Sequence, residues 1–362
     1  MKILFITLEE SGRQNLRSIL NNNFFKINKK NIHSYGMDDN DHIYKDHTDL
    51  RIKSLMGLTN IILNLFYIFN LRKNLHKIIK NNSFTHVFFI DSFDFTKFYL
   101  NKYLNSNIKY CQIIGPSVFL WKKHKADFIN KNLDHLFSIF KIEKNYYLPS
   151  KYSYIGHPLR DSVIKKKYVS NNINIIGFFL GSRNQEVIPN SSVVYDLILE
   201  LRKLKDFKII IFTTKNYYIY LKTIFDDLND IQVVINDHNY YEKISSLDFA
   251  FACSGTVHLE LCFANIPHFI FYKANLINYF LFKKLIKIDY LSLLNIFNKE
   301  SIVKEFVQKK FKVDILLRNF LLLFNDINNY HNYSKLIENY VDKSNFDEFN
   351  PRPIIDYLKK SF

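Results

Sequence analysis

Eight glycines, seven prolines, three cysteines and one tryptophan in 362 residues leave little room for several kinds of protein. Scarce Gly and Pro exclude a collagen-like, loop-rich or disordered chain. Three cysteines make no disulfide framework, which points to a reducing compartment. A long apolar run is also missing. The most apolar stretch, residues 58–80, is interrupted by Asn60, Asn64 and Asn70 and falls short of the ~20 apolar residues of a membrane span. The start, "MKILFITLEESG", meets Glu9 and Glu10 too soon for a signal peptide and reads as a buried first strand, so a cytoplasmic protein is expected.

What is present is aromatic and basic: 35 Phe, 24 Tyr and a net charge of +16. The length suits two domains with a core each. The positive field suits a phosphorylated substrate, an anionic membrane or nucleic acid, but no nucleic-acid reader motif accompanies it, and nucleic acid is not expected as a partner.

Short apolar runs at 2–8, 86–91, 110–115, 135–140 and 152–156, and again at 173–181, 207–214, 231–236, 248–254 and 268–273, alternate with stretches able to form helices. This is the pattern of buried parallel sheets, and predicts two doubly wound α/β domains. The polar segment 160–172 is the expected linker. The domains expected are 1–163 and 164–340, with a tail helix over 341–362; from about residue 300 the chain reads as helical.

In such folds ligands gather at the carboxyl ends of strands. "FACSGTVHLELC" puts Ser254, Gly255 and Thr256 in a turn between a strand and a helix, with Ser254 or Thr256 as the cap. Cys253, His258 and Cys262 lack the ligand count of a zinc site, so no metal is expected. Glu260, an acid in an apolar helix, needs a polar partner: a ribose hydroxyl, or solvent. Gly181-Ser182-Arg183 repeats the strand–turn–helix design and offers a guanidinium to phosphate. Asp91 ends an apolar strand, with Asp94 after it, where a carboxylate is either a general base or a helix cap.

Five ordered segments, "IGPSVFLWKKHK", "YIGHPLRDS", "GSRNQEV", "CSGTVHLE" and "IDYLSLLNI", together resemble the lipid-A-disaccharide synthases, an inverting glycosyltransferase family of GT-B architecture. The resemblance implies transfer of diacylglucosamine from UDP-diacylglucosamine to diacylglucosamine 1-phosphate, without metal or other cofactor. It implies a catalytic set of Asp91 as base, Arg183, and Glu9 as the match to the acid of the first loop, and a UDP-sugar site of Gly181, Ser182, Arg183, Ser254, Gly255, Thr256, Glu260 and Asn295. It also implies a homodimer and a hydrophobic helix on the inner membrane, here Leu58, Ile61, Ile62, Leu65, Ile68 and Phe69 backed by Arg72 and Lys73; the residues alone fit a core-facing helix as well. The chain departs from the family at Leu8, Glu10 and Arg13 (Gly, Ala and Asp in the family), at Leu294 (usually Pro), and at Glu300-Ser301 (usually Arg-Glu). A transferase or epimerase for another UDP-sugar, or a non-catalytic basic membrane-binding relative, are the rival readings.

Overall fold

In the computed structural model, which describes residues 1–37, 45–46, 65–119, 124–228, 230–236, 239–273, 289–344 and 346–360, the apolar runs become two all-parallel sheets. Each belongs to its own compact unit: Met1–Pro158 with Asp347–Phe362, and Leu159–Phe346.

The first unit holds β1 (Ile3–Thr7), β2 (Ile32–Tyr35), β3 (Lys45–Asp46), β4 (His86–Ile90), β5 (Lys109–Ile113), β6 (His135–Ser138) and β7 (Tyr152–Tyr154), in the order β3-β2-β1-β4-β5-β6-β7. The second holds β8 (Ile175–Phe179), β9 (Lys208–Thr213), β10 (Ile231–Ile235), β11 (Phe249–Cys253), β12 (His268–Tyr272) and β13 (Glu305–Val307), in the order β10-β9-β8-β11-β12-β13. The order reverses between β1 and β4 in one sheet and between β8 and β11 in the other. At each reversal the connections leave in opposite directions and open a crevice beyond the strand ends.

These inner strands are apolar without alternation because helices cover both faces: all five residues of β1, β4 and β11 are buried. Aromatic rings join neighbouring strands. Phe5 meets Phe88 at 5.0 Å between centroids, and Phe178 stacks on Phe251 at 5.2 Å. Each such ring contributes roughly 1.5–3 kcal/mol by burial.

Several expectations need correcting. The chain passes between units at Pro158/Leu159 and again at Phe346/Asp347, so the second unit runs Leu159–Phe346 and the C-terminal segment belongs to the first. There Tyr357 packs its ring 5.0 Å from His135, and Asn350 donates its backbone N–H to the Ile155 carbonyl at 2.7 Å. The 160–172 segment is tied down along the second unit. Lys166 donates its backbone N–H to the Ala264 carbonyl and its ammonium to buried Asp248 at 2.8 Å, and Ser170 bonds the same carboxylate. Strands β2, β3 and β13 are additional, and β13 interrupts the region read as helical.

Candidate active site

At the carboxyl ends of β1 and β4 the two following segments exchange hydrogen bonds. Ser11, in the first turn of the helix Glu10–Leu20 that follows β1, donates its hydroxyl to Asp91 Oδ2 at 2.8 Å; Ser92, in the β4 loop, donates its hydroxyl to Glu9 Oε1 at 3.1 Å. Asp91 Oδ1 accepts the Ser92 N–H at 2.9 Å. This settles the position of Asp91: its carboxylate is turned across the switch point instead of capping the following helix, Phe93–Tyr103, whose N-cap Ser92 makes no side-chain cap bond. Asp91 and Ser92 both adopt left-handed backbone, with φ of 58° and 43°, a conformation that costs a residue with a Cβ and concentrates at functional sites. Asp94 stands apart, exposed and paired with Lys125.

Closeness of packing explains the glycine of this loop. A Cβ on Gly12 would lie 2.6 Å from Thr7 Oγ1 and 3.3 Å from the Ile90 carbonyl, so only glycine lets the helix Glu10–Leu20 come down between β1 and β4. Arg13, the departure from the family's aspartate, donates Nε to the Gly36 carbonyl at 2.6 Å.

The second unit carries the matching turn after β8. Gly181 has φ +107°, and a Cβ there would strike the Glu186 side chain at 2.6 Å. Buried Glu186, at the third position of the helix Asn184–Arg202, accepts the Ser182 N–H at 3.0 Å and Arg183 Nη1 at 2.8 Å. One carboxylate thus fixes both the turn and the plane of the guanidinium, which stays about two-fifths exposed (39%). Tyr217, after β9, and Tyr272, ending β12, lie in the field of this pair; burial raises both phenols above their ordinary pKa and Glu186 adds to it. Across the switch point, Gly255 and Thr256 are exposed after β11, with nothing within 4 Å of a Cβ built on Gly255. The expected cap is absent: Thr256 occupies the N-cap of the helix Val257–Phe263 with no side-chain bond.

Each unit thus presents polar groups at its own switch point, two acid–hydroxyl pairs in the first and an oriented arginine beside an open turn in the second. The model of the lipid-A-disaccharide synthetase family matches residues 3–353. The chain belongs to that family. It is accordingly a glycosyltransferase of GT-B architecture that acts on a UDP-sugar in lipid A synthesis. The lipid-A-disaccharide synthase of Wigglesworthia glossinidia brevipalpis is 28% identical over 305 residues, 78% of this chain and 77% of that one. That of Francisella philomiragia is 28% identical over 312 residues, 80% and 81% of the two chains. Among solved structures, the S. aureus MnaA–UDP complex shares the fold with a TM-score of 0.66 at 12% identity, covering 99% of this chain and 96% of the other.

Within this family framework the remaining site residues take distinct places. Glu260 is buried, and Tyr240 donates to its Oε2 at 2.8 Å; burial pushes its carboxyl up to about 7 against the opposing bonds from Tyr240 and Tyr241. Its polar partner in the structure is therefore a tyrosine pair, not solvent. Asn295 is fully buried and its amide is saturated. Nδ2 donates to the Val303 carbonyl and Glu305 Oε1, both at 2.8 Å, while Oδ1 accepts the N–H groups of Ile302 and Val303. In this structure Asn295, on the helix Leu293–Asn298, consequently braces the segment from Ile302 to Glu305. Glu305, which sequence reading passed over, also accepts the N–H groups of Leu291 and Ser292 at 2.8 Å each.

The expected membrane helix is described over Leu65–Asn81; Leu58, Ile61 and Ile62 lie outside the described residues. Two members of the set face inward. Ile68 packs on the core, and Arg72 is buried with its guanidinium 3.8 Å from the Phe98 ring centroid, donating to the Phe98 carbonyl at 3.3 Å. The exposed face carries Phe66, Phe69, Lys73, Lys77 and Lys80. Among the described residues no helix is long and apolar enough to cross a membrane.

The cysteine–histidine motif is rearranged by folding. His268 joins His258 and Cys262 in the core, their ligand atoms within 4.8 Å of one another, while Cys253 sits toward Arg183 and Glu186. His268 Nδ1 lies 2.7 Å from the Ile266 carbonyl, which makes it the donor there and leaves Nε2 to accept from His258 Nδ1 at 2.9 Å. Burial holds both imidazoles neutral and raises the Cys262 thiol, so the group satisfies itself as a hydrogen-bonded core cluster.

Proposed function

We propose that this glycosyltransferase transfers the diacylglucosamine unit of UDP-diacylglucosamine to the primary hydroxyl of diacylglucosamine 1-phosphate, with Asp91 as general base. The observation that carries this reading is the crossed Ser11–Asp91 and Ser92–Glu9 pairing at the β1/β4 switch point. Together with the Ser92 N–H on Oδ1, the Ser11 hydroxyl on Oδ2 gives the carboxylate a donor on each oxygen, and a positioned carboxylate of this kind contributes a factor of about 10²–10⁴ as a base. The acceptor oxygen loses its proton to Asp91 as it attacks the anomeric carbon, the bond to the diphosphate breaks on the opposite face, and UDP leaves with the electron pair. One displacement inverts the α-linked donor to a β-linked product.

The leaving diphosphate gains charge as the bond breaks. Arg183, with its plane set by Glu186, and the open Gly255–Thr256 turn are the groups we assign to it. Ser182 and Ser254 border the same two turns, and Glu260 follows the second of them on the helix Val257–Phe263. Diacylated substrates have to be taken from a bilayer, and Phe66 and Phe69 beside Lys73, Lys77 and Lys80 supply an apolar and basic face for anionic lipid on the first unit.

The test is product analysis. Incubation of the purified chain with both lipids in mixed micelles should give UDP and a disaccharide 1-phosphate whose new anomeric proton shows the large coupling of a β-linkage. An α-linked product, or UDP formed equally well without acceptor, would exclude an inverting transfer to the lipid.

A further inference from the structure

Next to Asp91, one residue before the carboxyl end of β5, lies a polar side chain with no solvent exposure, Gln112. Its amide nitrogen faces three backbone carbonyls: Asp91 at 2.8 Å, Ile114 at 3.0 Å and Ile113 at 3.3 Å. With two hydrogens for three acceptors, the two shorter contacts take one each and the third shares. These carbonyls set the amide's orientation, since only N–H groups can meet them; on the other side buried Thr96, on the helix Phe93–Tyr103, donates its hydroxyl to Gln112 Oε1 at 2.9 Å.

Two of the three carbonyls belong to residues in left-handed backbone, Asp91 (φ 58°) and Ile114 (φ 62°), and a β-branched residue in that region is a genuine outlier. Such a conformation persists only where its surroundings over-determine it. Here the Asp91 N–H is held by the Ile113 carbonyl at 2.9 Å and the Ile114 N–H by the Phe137 carbonyl, so β5 and β6 fix the donors and Gln112 fixes the acceptors. With the Asp91 carbonyl drawn inward to Gln112, its carboxylate is directed outward to Ser11.

From this geometry we propose that Gln112 is the positioning residue for the base: its amide staples the ends of β4 and β5 and so sets the direction of the Asp91 carboxylate. The proposal rests on the reading of Asp91 as base. Gln112→Met keeps the length of the side chain and removes both donors. Its kcat should fall on the order of 100-fold, as for a catalytic group displaced by about 1 Å, with KM for the UDP-sugar within about twofold of wild type. Thr96→Val, which takes away the donor to Gln112 Oε1 and loosens the amide, should lose about tenfold by the same argument and carries the test if Gln112→Met does not fold.

The discriminating measurement repeats the substitution in Asp91→Asn. Once the base is gone, Gln112→Met should change the residual turnover by less than about twofold, since the two act as a unit. An equal fold-loss on both backgrounds with Asp91→Asn itself disabled, or wild-type kcat in a folded Gln112→Met protein, would overturn the positioning role alone. Wild-type turnover in Asp91→Asn would overturn the base and the positioning role with it.

Discussion

Glu143 shows how one buried acid can govern the pH response of this chain. It is 1% exposed, shares a hydrogen bond with the Ser138 hydroxyl at 2.6 Å, and burial pushes its carboxyl up to about 8, outweighing the bonds from Ser138 and the Val118 backbone. The folded state therefore keeps a proton that the unfolded state gives up near the ordinary value of 4.5. Stability from this group is present at low pH and is lost as pH rises from about 4.5 to 8, by at most about 1.4 kcal/mol per unit. Glu143→Gln should melt progressively higher relative to wild type from pH 5 to pH 8; parallel melting curves across that range would contradict the buried protonated acid. At this scale the sequence was partly readable. Arg183, Asp91 and the two small-residue turns follow strands, so their place at a strand end could be inferred. Their partners could not. Glu186 is three residues from Arg183 and follows the capping-box spacing, a usable signal; Ser11 and Ser92 reach acids some 80 positions away, and no local pattern announces that.

Among elements, the clearest case is the segment 160–172. Its charge and lack of periodicity suggest a loose linker, yet Asp248, buried before β11, gathers Lys166, Ser170 and the N–H groups of Asn174 and Ile175. Burial acts to raise the Asp248 carboxyl, but these donors prevail and hold it below the usual value. Removing the acid strands a lysine that is mostly covered, a change that costs about 3–5 kcal/mol in comparable buried pairs. Asp248→Ala should lower the denaturation midpoint accordingly, whereas a loss below about 0.5 kcal/mol would mean the segment is held by other contacts. The strands with near-continuous apolar runs were legible for the same reason that they are central: both faces are covered. β2 ("IHSY") and β13 ("EFV") are short and broken by polar residues, and their pairing with β1 and β12 is a tertiary fact. Likewise the amphipathic pattern of Leu65–Asn81 was visible, but which face went inward was decided by Phe98 drawing Arg72 into the core.

For the whole molecule, charge and apolar exposure combine. The net charge of +16 gives a positive field of the kind that favours anionic surfaces, and the helix Leu65–Asn81 exposes Phe66 (81%) and Phe69 (42%) beside three lysines. Each ring inserted in an interface is worth roughly 1.5–3 kcal/mol. Phe66→Ser with Phe69→Ser should therefore weaken sedimentation with anionic vesicles by at least about tenfold, and 0.5 M salt, a probe of the lysines, should weaken wild-type binding as well. Vesicle binding untouched by the double substitution would place the lipid surface elsewhere. The central claim is that the acid held by Ser11 and Ser92 drives the transfer. It is tested most directly by UDP release from UDP-diacylglucosamine, with and without diacylglucosamine 1-phosphate, in wild type and Asp91→Asn. The account predicts release that depends on acceptor in wild type and falls by about 10²–10⁴ in the variant, with UDP-sugar binding retained. Acceptor-dependent release at the wild-type rate in Asp91→Asn would contradict it.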